Sequence, residues 1–231
     1  MIGSDVIPTE RTTPESFEVQ KLFREMADAG CTHVVMETSS HALYLDRVYG
    51  VRYDVGIFTN LTQDHLDFHK TMENYCDAKA ILFRNCVTGV VNADDPWTPR
   101  LLKDADCKVM TYAEQADADL RAENIVLSAG GIAFDAVSGA ERVPIRVNIP
   151  GGFMVYNTLD VLGAALALGI SLEESAAVLE KVPHVKGRVE IVPTPGKDYT
   201  ILIDYAHTPD SMVNVLQTVK EFAKGRTVAV F

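Results

Sequence analysis

The sequence has 231 residues, of which 47% are hydrophobic and 23% are charged, values typical of a globular protein with a sizeable core. Its formal net charge of −11 argues against broad binding to nucleic acid or to anionic membranes. The four cysteines form no CxxC pair, and no apolar run reaches about 18 residues, so we expect a cytoplasmic protein with reduced thiols and no membrane span.

Helix and strand patterns alternate in the first half of the chain. Apolar residues near helical spacing predict a helix over 15–30, ending at a glycine. Strands are predicted at 32–37, 53–60, 87–95 and 108–112, and a further helix at 72–83. Strands that alternate with helices indicate βαβ units and a mainly parallel sheet.

The second half begins with an antiparallel pattern. Two β-rich runs between 120 and 137 are broken by Ala129-Gly130-Gly131, which predicts a hairpin, and 141–152 continues as a strand. We therefore predict an α/β fold with a mainly parallel, doubly wound sheet flanked by helices and a small antiparallel part.

The remaining elements are predicted in turn as a helix at 152–170, a helix at 171–182, a hairpin around Pro195-Gly196-Lys197, a helix at 208–225 and a strand starting at 226. Ser171 with Glu174 forms a capping-box pattern, and Thr208 followed by Pro209 is typical of a helix start.

Polar side chains follow the predicted strand at 32–37. Glu37 ends that strand, at the carboxyl edge where open α/β sheets bind ligands. Ser39 or Ser40 could cap the next helix while His41 packs, or the hydroxyls could serve an anionic substrate beside a carboxylate ligand. No GxSxG motif accompanies them, which argues against a serine hydrolase.

The loop "FTNLTQDHLDFH" follows the next strand and holds His65, Asp67 and His69 within five residues. These side chains could ligate a divalent cation or only hydrogen-bond within the loop, although Mg²⁺ prefers oxygen ligands. Both interpretations remain open from the spacing alone.

Lys79 lies on the apolar face of the next predicted helix, with Tyr75, Ala78 and Leu82. A buried ammonium is costly, so the side chain must reach water along its stem, find a carboxylate, or be modified. Carbamylation of a neutral amine would give an anion whose two oxygens suit a magnesium site.

Three residues near the C-terminus could bind a nucleotide. Arg188 could offer its fork of donors to a phosphate, Asp204 ends a strand and could accept ribose hydroxyls, and His207 precedes a helix N-terminus, a natural anion site. A solvated arginine and a helix-capping loop are the alternative interpretations.

The motifs "RTTPES", "METSSHAL", "FTNLTQDHLDFHKTMENYCDAKAILF", "VNADDP", "PGGFMVYN", "VKGRVE" and "DYAHTPDS" occur in this order. Together they resemble the Mur ligases of peptidoglycan synthesis, and among them the tripeptide synthetases, over nearly the whole chain. The resemblance implies that ATP phosphorylates the D-glutamate carboxylate of UDP-MurNAc-L-Ala-D-Glu and that a diamino acid, meso-diaminopimelate or L-lysine, attacks the acyl phosphate. It implies Mg²⁺ as cofactor and a cytoplasmic monomer that binds neither nucleic acid nor membranes.

The resemblance also assigns roles to individual residues. The implied magnesium ligands are Glu37, His65 and a carbamylated Lys79, and the implied catalytic residues are Lys79, His65 and Arg188. Contacts to the UDP-MurNAc-dipeptide are implied for Thr12, Thr13, Ser39 and Arg47. Contacts to the nucleotide are implied for Asn157, Arg188, Asp204 and His207.

Three positions depart from the family pattern. Met154 stands where the family usually has Asn, and Asp160 stands where it usually has a small residue. Leu45 replaces a polar residue that contacts substrate, which puts one substrate contact in doubt.

The resemblance places residues 1–231 in a central ATP-binding domain truncated at both ends, with the C-terminal ligase domain starting within 184–231. The sequence contains no GxxxxGK[ST] phosphate loop, so we expect these residues alone not to form the amide bond. The alternatives are a ligase like folylpolyglutamate synthetase, a non-catalytic binding remnant, or a metal phosphohydrolase built on "DHLDFH".

Overall fold

The computed structural model describes residues 1–183 and 185–230, without the side chain of residue 210. Its helices are α1 (Ser16–Asp28), α2 (Ser40–Tyr44), α3 (Leu66–His69), α4 (Met72–Ala80), α5 (Thr98–Leu101), α6 (Phe153–Ala167), α7 (Leu172–Leu179) and α8 (Pro209–Phe222). Its strands are β1 (Tyr53–Phe58), β2 (Cys86–Asn92), β3 (Lys108–Ala113), β4 (Leu120–Ser128), β5 (Gly131–Ser138), β6 (Glu141–Val147), β7 (Glu190–Val192) and β8 (Ile201–Ile203).

Strands β1 to β6 form one sheet in sequence order, while β7 and β8 form a separate antiparallel pair. β3 runs parallel to β4, whereas β4, β5 and β6 form an antiparallel meander in which Ala122 lies opposite Ala136 and Phe134 opposite Ile145. The predicted α/β class, a mostly parallel sheet flanked by helices with an antiparallel part, is confirmed.

Both predicted hairpins are present. The turn between β4 and β5 ends at Gly131, whose φ is +135° and where a Cβ would lie 2.1 Å from the carbonyl oxygen of Val147. Only glycine fits this position, because any side chain would overlap the backbone of β6. The turn between β7 and β8 closes with a hydrogen bond from Lys197 N to Thr194 O at 3.2 Å.

The predicted helix starts are confirmed where caps were expected. Ser171 and Glu174 form a reciprocal capping box at α7, and Thr208 accepts a hydrogen bond from Ser211 N at α8. Thr71 caps α4 by accepting from Asn74 N. Each cap satisfies a backbone N–H that has no partner inside the helix, which stabilises the helix start by about 1 kcal/mol.

The chain divides into two compact units, each described by itself. The first unit comprises Met1–Gly56, Gln63–Gly89 and Trp97–Lys108. The second unit comprises Ile57–Thr62, Val90–Pro96 and the chain from Val109 onward.

The core of the first unit forms around α4. This helix buries Tyr75, Cys76 and Ala78, and it packs against α2, α3 and α5. Phe83, in the 3₁₀ turn that follows α4, and Leu101 of α5 are also fully buried. Burying each large apolar side chain contributes roughly 1.5–3 kcal/mol, so α4 has a fixed position in this unit.

The core of the second unit forms where α6 packs on β4, β5 and α7. Val155, Leu159 and Leu162 recur at helical spacing on α6 and are completely buried. Gly163 lets the helix approach closely, because a Cβ there would lie 2.6 Å from a methyl group of Val90.

Two predicted strands are absent. Residues 32–37 form no strand, and Val35 is 99% exposed. β-branched residues favour a strand only where a neighbouring strand can pair with them, and none of the described strands pairs with this segment. Residues 226–230 also form no strand, and residue 231 lies outside the described residues.

Among the described residues, no helix combines the length and the apolar character that crossing a membrane requires.

Candidate functional sites

The side chain of Lys79 lies in the first unit and is largely shielded from water. Its amine sits 5.1 Å from the ring centroid of Tyr75, one helical turn earlier on α4. Burial lowers the pKa of Lys79, and the nearby carboxylates of Glu37 and Asp64 offset only part of that effect. The surroundings of Lys79 therefore favour the neutral form of its amine more than the surroundings of a surface lysine do.

Aromatic rings pack together next to this lysine. The rings of His41 and His65 lie 4.9 Å apart, and His65 lies 5.9 Å from Tyr75. His69 stacks on Tyr75 with centroids 5.0 Å apart and planes inclined by 14°. We call His41, His65, His69, Tyr75 and Lys79 the lysine cluster.

His65 is the exposed member of the lysine cluster. It precedes α3 in a left-handed conformation, with φ of +54°, and its backbone N–H donates to the Asp64 carboxylate at 2.7 Å. Histidine adopts this conformation more readily than most residues. The turn leaves the His65 ring accessible, with 45% of its side chain exposed.

Glu37 is exposed, and its backbone is fixed by a buried threonine. Thr13 Oγ donates to Glu37 O and accepts from Ser39 N, both at 3.0 Å. Ser39 Oγ accepts from Ala42 N and caps α2, as one of the sequence interpretations expected. The hydroxyls of Thr13 and Ser39 therefore hold the loop that carries Glu37.

The other two predicted substrate contacts differ in exposure. Thr12 is exposed. The Arg47 side chain is only 11% exposed; its Nε lies 3.3 Å from the Glu15 carboxylate and its Nη1 donates to Thr13 O. Arg47 therefore helps to hold Thr13, the residue that fixes the loop carrying Glu37.

Within the described part of the chain, no group of three His, Cys, Asp or Glu side chains is arranged to hold a metal ion. The predicted ligand set contains only two such residues, Glu37 and His65, and its third member is Lys79. An ammonium at that position would repel a cation, whereas a carbamate would add the oxygen donors that Mg²⁺ prefers.

A cavity of about 390 Å³ lies in the second unit. Three of the four predicted nucleotide contacts, Asn157, Arg188 and Asp204, line it together. They come from α6, from the loop before β7 and from the residue that follows β8, so the fold gathers residues that are separated in sequence.

Asp204 organises the wall of this cavity. Its carboxylate accepts hydrogen bonds from Val189 N and Ala206 N, both at 2.8 Å. Val189 is buried and has φ of +43°, a conformation that costs a β-branched residue on the order of 1–3 kcal/mol. The hydrogen bond from Val189 to Asp204 thus holds a strained backbone directly after Arg188.

His207 does not line the cavity. Its Nδ1 lies 3.0 Å from Tyr205 O, and its ring makes an edge contact with Tyr205 at 5.1 Å. The Arg188 guanidinium lies 5.7 Å from the same Tyr205 ring. Tyr205 thus lies beside two of the four predicted nucleotide contacts, Arg188 and His207.

Sequence reasoning gave no role in nucleotide binding to four further residues that line the cavity, Asn60, Phe153, Ser211 and Asn214. In the lysine cluster it named His69 as a possible cation ligand and Tyr75 as an apolar neighbour of Lys79, but it missed the stack between their rings. Asn60 had a usable signal, because polar residues just after a strand lie at the ligand-binding edge of α/β sheets. For Phe153 and Asn214 we find no local signal.

Comparison with family models gives two matches. Residues 1–165 match the model described as the Mur ligase middle domain. Residues 187–231 match the model described as the Mur ligase, glutamate ligase domain.

Similar curated proteins are named UDP-N-acetylmuramoyl-L-alanyl-D-glutamate–2,6-diaminopimelate ligase. The protein from Clostridium botulinum is 48% identical over all of this chain and 48% of its own length. The protein from Bacillus cereus is 43% identical over 97% of this chain and 47% of its own length. The chain thus spans about half the length of the curated relatives it matches.

Solved structures show the same fold. A ligase with that same name has a TM-score of 0.80 and 30% identity, over 91% of this chain and 44% of its own. MurF from Thermotoga maritima in complex with ADP has a TM-score of 0.68 over 86% of this chain and 48% of its own, and at 15% identity this shows the fold alone.

Proposed function

Because the chain belongs to the Mur ligase family, we propose that it forms the nucleotide-binding part of an ATP-dependent ligase that joins 2,6-diaminopimelate to UDP-MurNAc-L-Ala-D-Glu. One observation carries the proposal: Asn157, Arg188 and Asp204, which the motifs implied as nucleotide contacts, line one cavity. A volume near 390 Å³ falls within the range of small-molecule and cofactor sites.

The cavity residues suit the parts of a nucleotide. The Arg188 guanidinium can donate two parallel hydrogen bonds to a phosphate, and the Asp204 carboxylate keeps lone pairs for ribose hydroxyls. The Asn157 amide is exposed and offers both a donor and an acceptor to a base. These three residues bind and orient ATP, while the reaction itself activates a carboxylate that is otherwise a poor electrophile.

We assign the magnesium ligands to Glu37, His65 and Lys79. CO₂ adds to the neutral Lys79 amine: an N–C bond forms, one C=O π bond of CO₂ opens and the nitrogen releases one proton, so the neutral amine becomes an anionic carbamate. Burial of the amine supports this assignment, because only the neutral form reacts. Bound there, Mg²⁺ would neutralise charge on the phosphoryl group being transferred.

The diamino acid is assigned from the names of the relatives. Those names specify 2,6-diaminopimelate, and the identities of 43–48% support it over L-lysine for this chain. The alternative of a folylpolyglutamate synthetase has only a fold likeness, a TM-score of 0.60 at 17% identity. Four free cysteines and the use of ATP support a cytoplasmic reaction.

Nucleotide binding to residues 1–231 tests the proposal directly. We expect ADP to bind in a calorimetric titration and the Arg188→Ala variant to bind about tenfold more weakly, because a charged hydrogen bond to phosphate is lost. Arg146→Ala is the matched control, since Arg146 is exposed on β6 and lies outside the cavity. Equal affinities of the Arg188→Ala and Arg146→Ala variants would contradict the assignment.

A separate measurement tests the proposed carbamate on Lys79. In buffer containing ¹³C-bicarbonate, the chain should give a carbamate carbon resonance that Lys79→Arg removes. A spectrum without that resonance would leave nucleotide binding intact but remove Lys79 from the proposed ligand set.

A further inference from the structure

Two buried polar side chains, one in the lysine cluster and one beside it, have no assigned role. Ser40, the first residue of α2, and His69, the last residue of α3, are 3% and 5% exposed. Ser40 Oγ and His69 Nε2 lie 2.9 Å apart, within hydrogen-bonding distance. Burying two polar groups is costly without such a bond, and an apolar pair would fill the space without that requirement.

His69 connects three elements of the first unit. It reaches α2 through Ser40, its backbone N–H donates to His65 O at 3.0 Å, and its carbonyl accepts from the Asn74 amide of α4 at 2.9 Å. Two backbone hydrogen bonds thus fix the position of His69, and the contact with Ser40 orients its imidazole.

The other face of this imidazole lies on Tyr75. The two rings are nearly parallel, 14° apart in plane, and the Tyr75 ring is buried. The Lys79 amine lies 5.1 Å from the Tyr75 centroid. The contacts therefore run in one series: Ser40 to His69, His69 to Tyr75, and Tyr75 to Lys79.

We infer that Ser40 and His69 are positioning residues, which hold the Tyr75 ring as the wall that keeps the Lys79 amine in its shielded place beside Glu37 and Asp64. Neither residue touches substrate or nucleotide in this role. The inference rests on the proposed function for its importance in the reaction, since Lys79 is the residue assigned to carbamylation there.

The accessibility of the Lys79 amine to an acetylating reagent tests this positioning role. Residues 1–231 are acetylated with N-hydroxysuccinimidyl acetate in bicarbonate-free buffer, and the rate at each lysine is followed by mass spectrometry. In the wild type, Lys79 should react at least about tenfold more slowly than exposed Lys103. In His69→Ala, the Lys79 rate should rise about fivefold while the Lys103 rate stays unchanged, because one buried hydrogen bond and the stack are lost.

Partial variants separate the two contacts. His69→Phe keeps the stack on Tyr75, His69→Gln keeps a hydrogen-bonding group for Ser40, and each should restore part of the Lys79 protection. Ser40→Ala should raise the Lys79 rate by about twofold, because it removes only the hydrogen bond. His33→Ala is the matched control, since His33 is exposed and outside the lysine cluster.

An unchanged ratio of Lys79 to Lys103 rates in both His69→Ala and Ser40→Ala overturns the inference. If His69→Ala raises the rates of all lysines, that variant has lost its fold and Ser40→Ala decides instead. The amine rates depend on neither nucleotide nor carbamate, so the inference can fail while ADP binding stands. A chain without the carbamate resonance would contradict the proposed ligand set and leave the positioning result valid.

Discussion

In the second unit, the turn after β2 holds a half-buried aspartate, Asp94, and the middle of α6 holds a buried one, Asp160, and the pKa values of the two carboxyls shift in opposite directions. Burial alone would raise the pKa of Asp94, but hydrogen bonds from the backbone N–H groups of Gln115, Glu114 and Ala116 together hold that pKa below its usual value. Tyr156 of α6 adds a fourth hydrogen bond at 3.0 Å. Asp94 therefore stays ionised in the fold.

Asp160 lies one helical turn after Tyr156 and is 8% exposed. Within the described chain, its carboxyl faces no hydrogen-bond donor or cation that would compensate its charge, and burial raises its pKa to about 7. The comparison teaches that burial by itself does not decide the charge of a carboxyl; the donors that surround it do.

The largest effect is expected for Asp94→Ala. Removing this carboxylate leaves the N–H groups of residues 114–116 without their acceptor, which we expect to lower the free energy of unfolding by about 3 kcal/mol near pH 7. Urea denaturation measures the change. Because the pKa of Asp94 is lowered, its stabilisation is present above its unfolded-state pKa and is lost as the pH falls through the folded-state pKa, so the difference from wild type should shrink in acid. A constant difference from pH 7 to pH 2 would contradict this account.

A smaller effect of the opposite sign is expected for Asp160→Asn. Since the pKa of Asp160 is raised from 3.8 to about 7, the wild type loses stability as the pH rises through that interval, and the loss is complete above it. At pH 8 the free energy of unfolding of the variant should exceed that of the wild type by about 1–4 kcal/mol, and at pH 4 the two values should differ little. Denaturation curves at both pH values test it, and equal stability at pH 8 would show that the carboxyl is compensated.

The smallest effect is expected for Asp119→Ala. Like Asp94, Asp119 accepts hydrogen bonds from a backbone N–H and a hydroxyl, both from Thr111 at 2.8 Å, but it is exposed. Water can replace the lost acceptor, so we expect a loss of about 1 kcal/mol or less in the same urea experiment. A loss as large as that of Asp94→Ala would mean that shielding from water does not set the energy of these hydrogen bonds.

Local patterns predicted most of the elements correctly. Helical spacing and caps predicted α4, α6, α7 and α8, because these depend on neighbours within a few residues along the chain. The segment 32–37 was predicted wrongly, because a strand depends on a partner that its own residues do not reveal. Asp160 shows the same limit, since its position in a helix predicts nothing about its charge.

The sequence by itself determined the α/β class, the family resemblance, and the inward direction of Lys79, since periodicity and motif order are properties of adjacent residues. Only the tertiary structure placed Asn157, Arg188 and Asp204 around one cavity and stacked His69 on Tyr75. It also decided that Asp94 remains charged while Asp160 is pushed toward its neutral form. Hydrogen-bond donors and desolvation come from residues distant in the chain, so they exist only once the chain has folded.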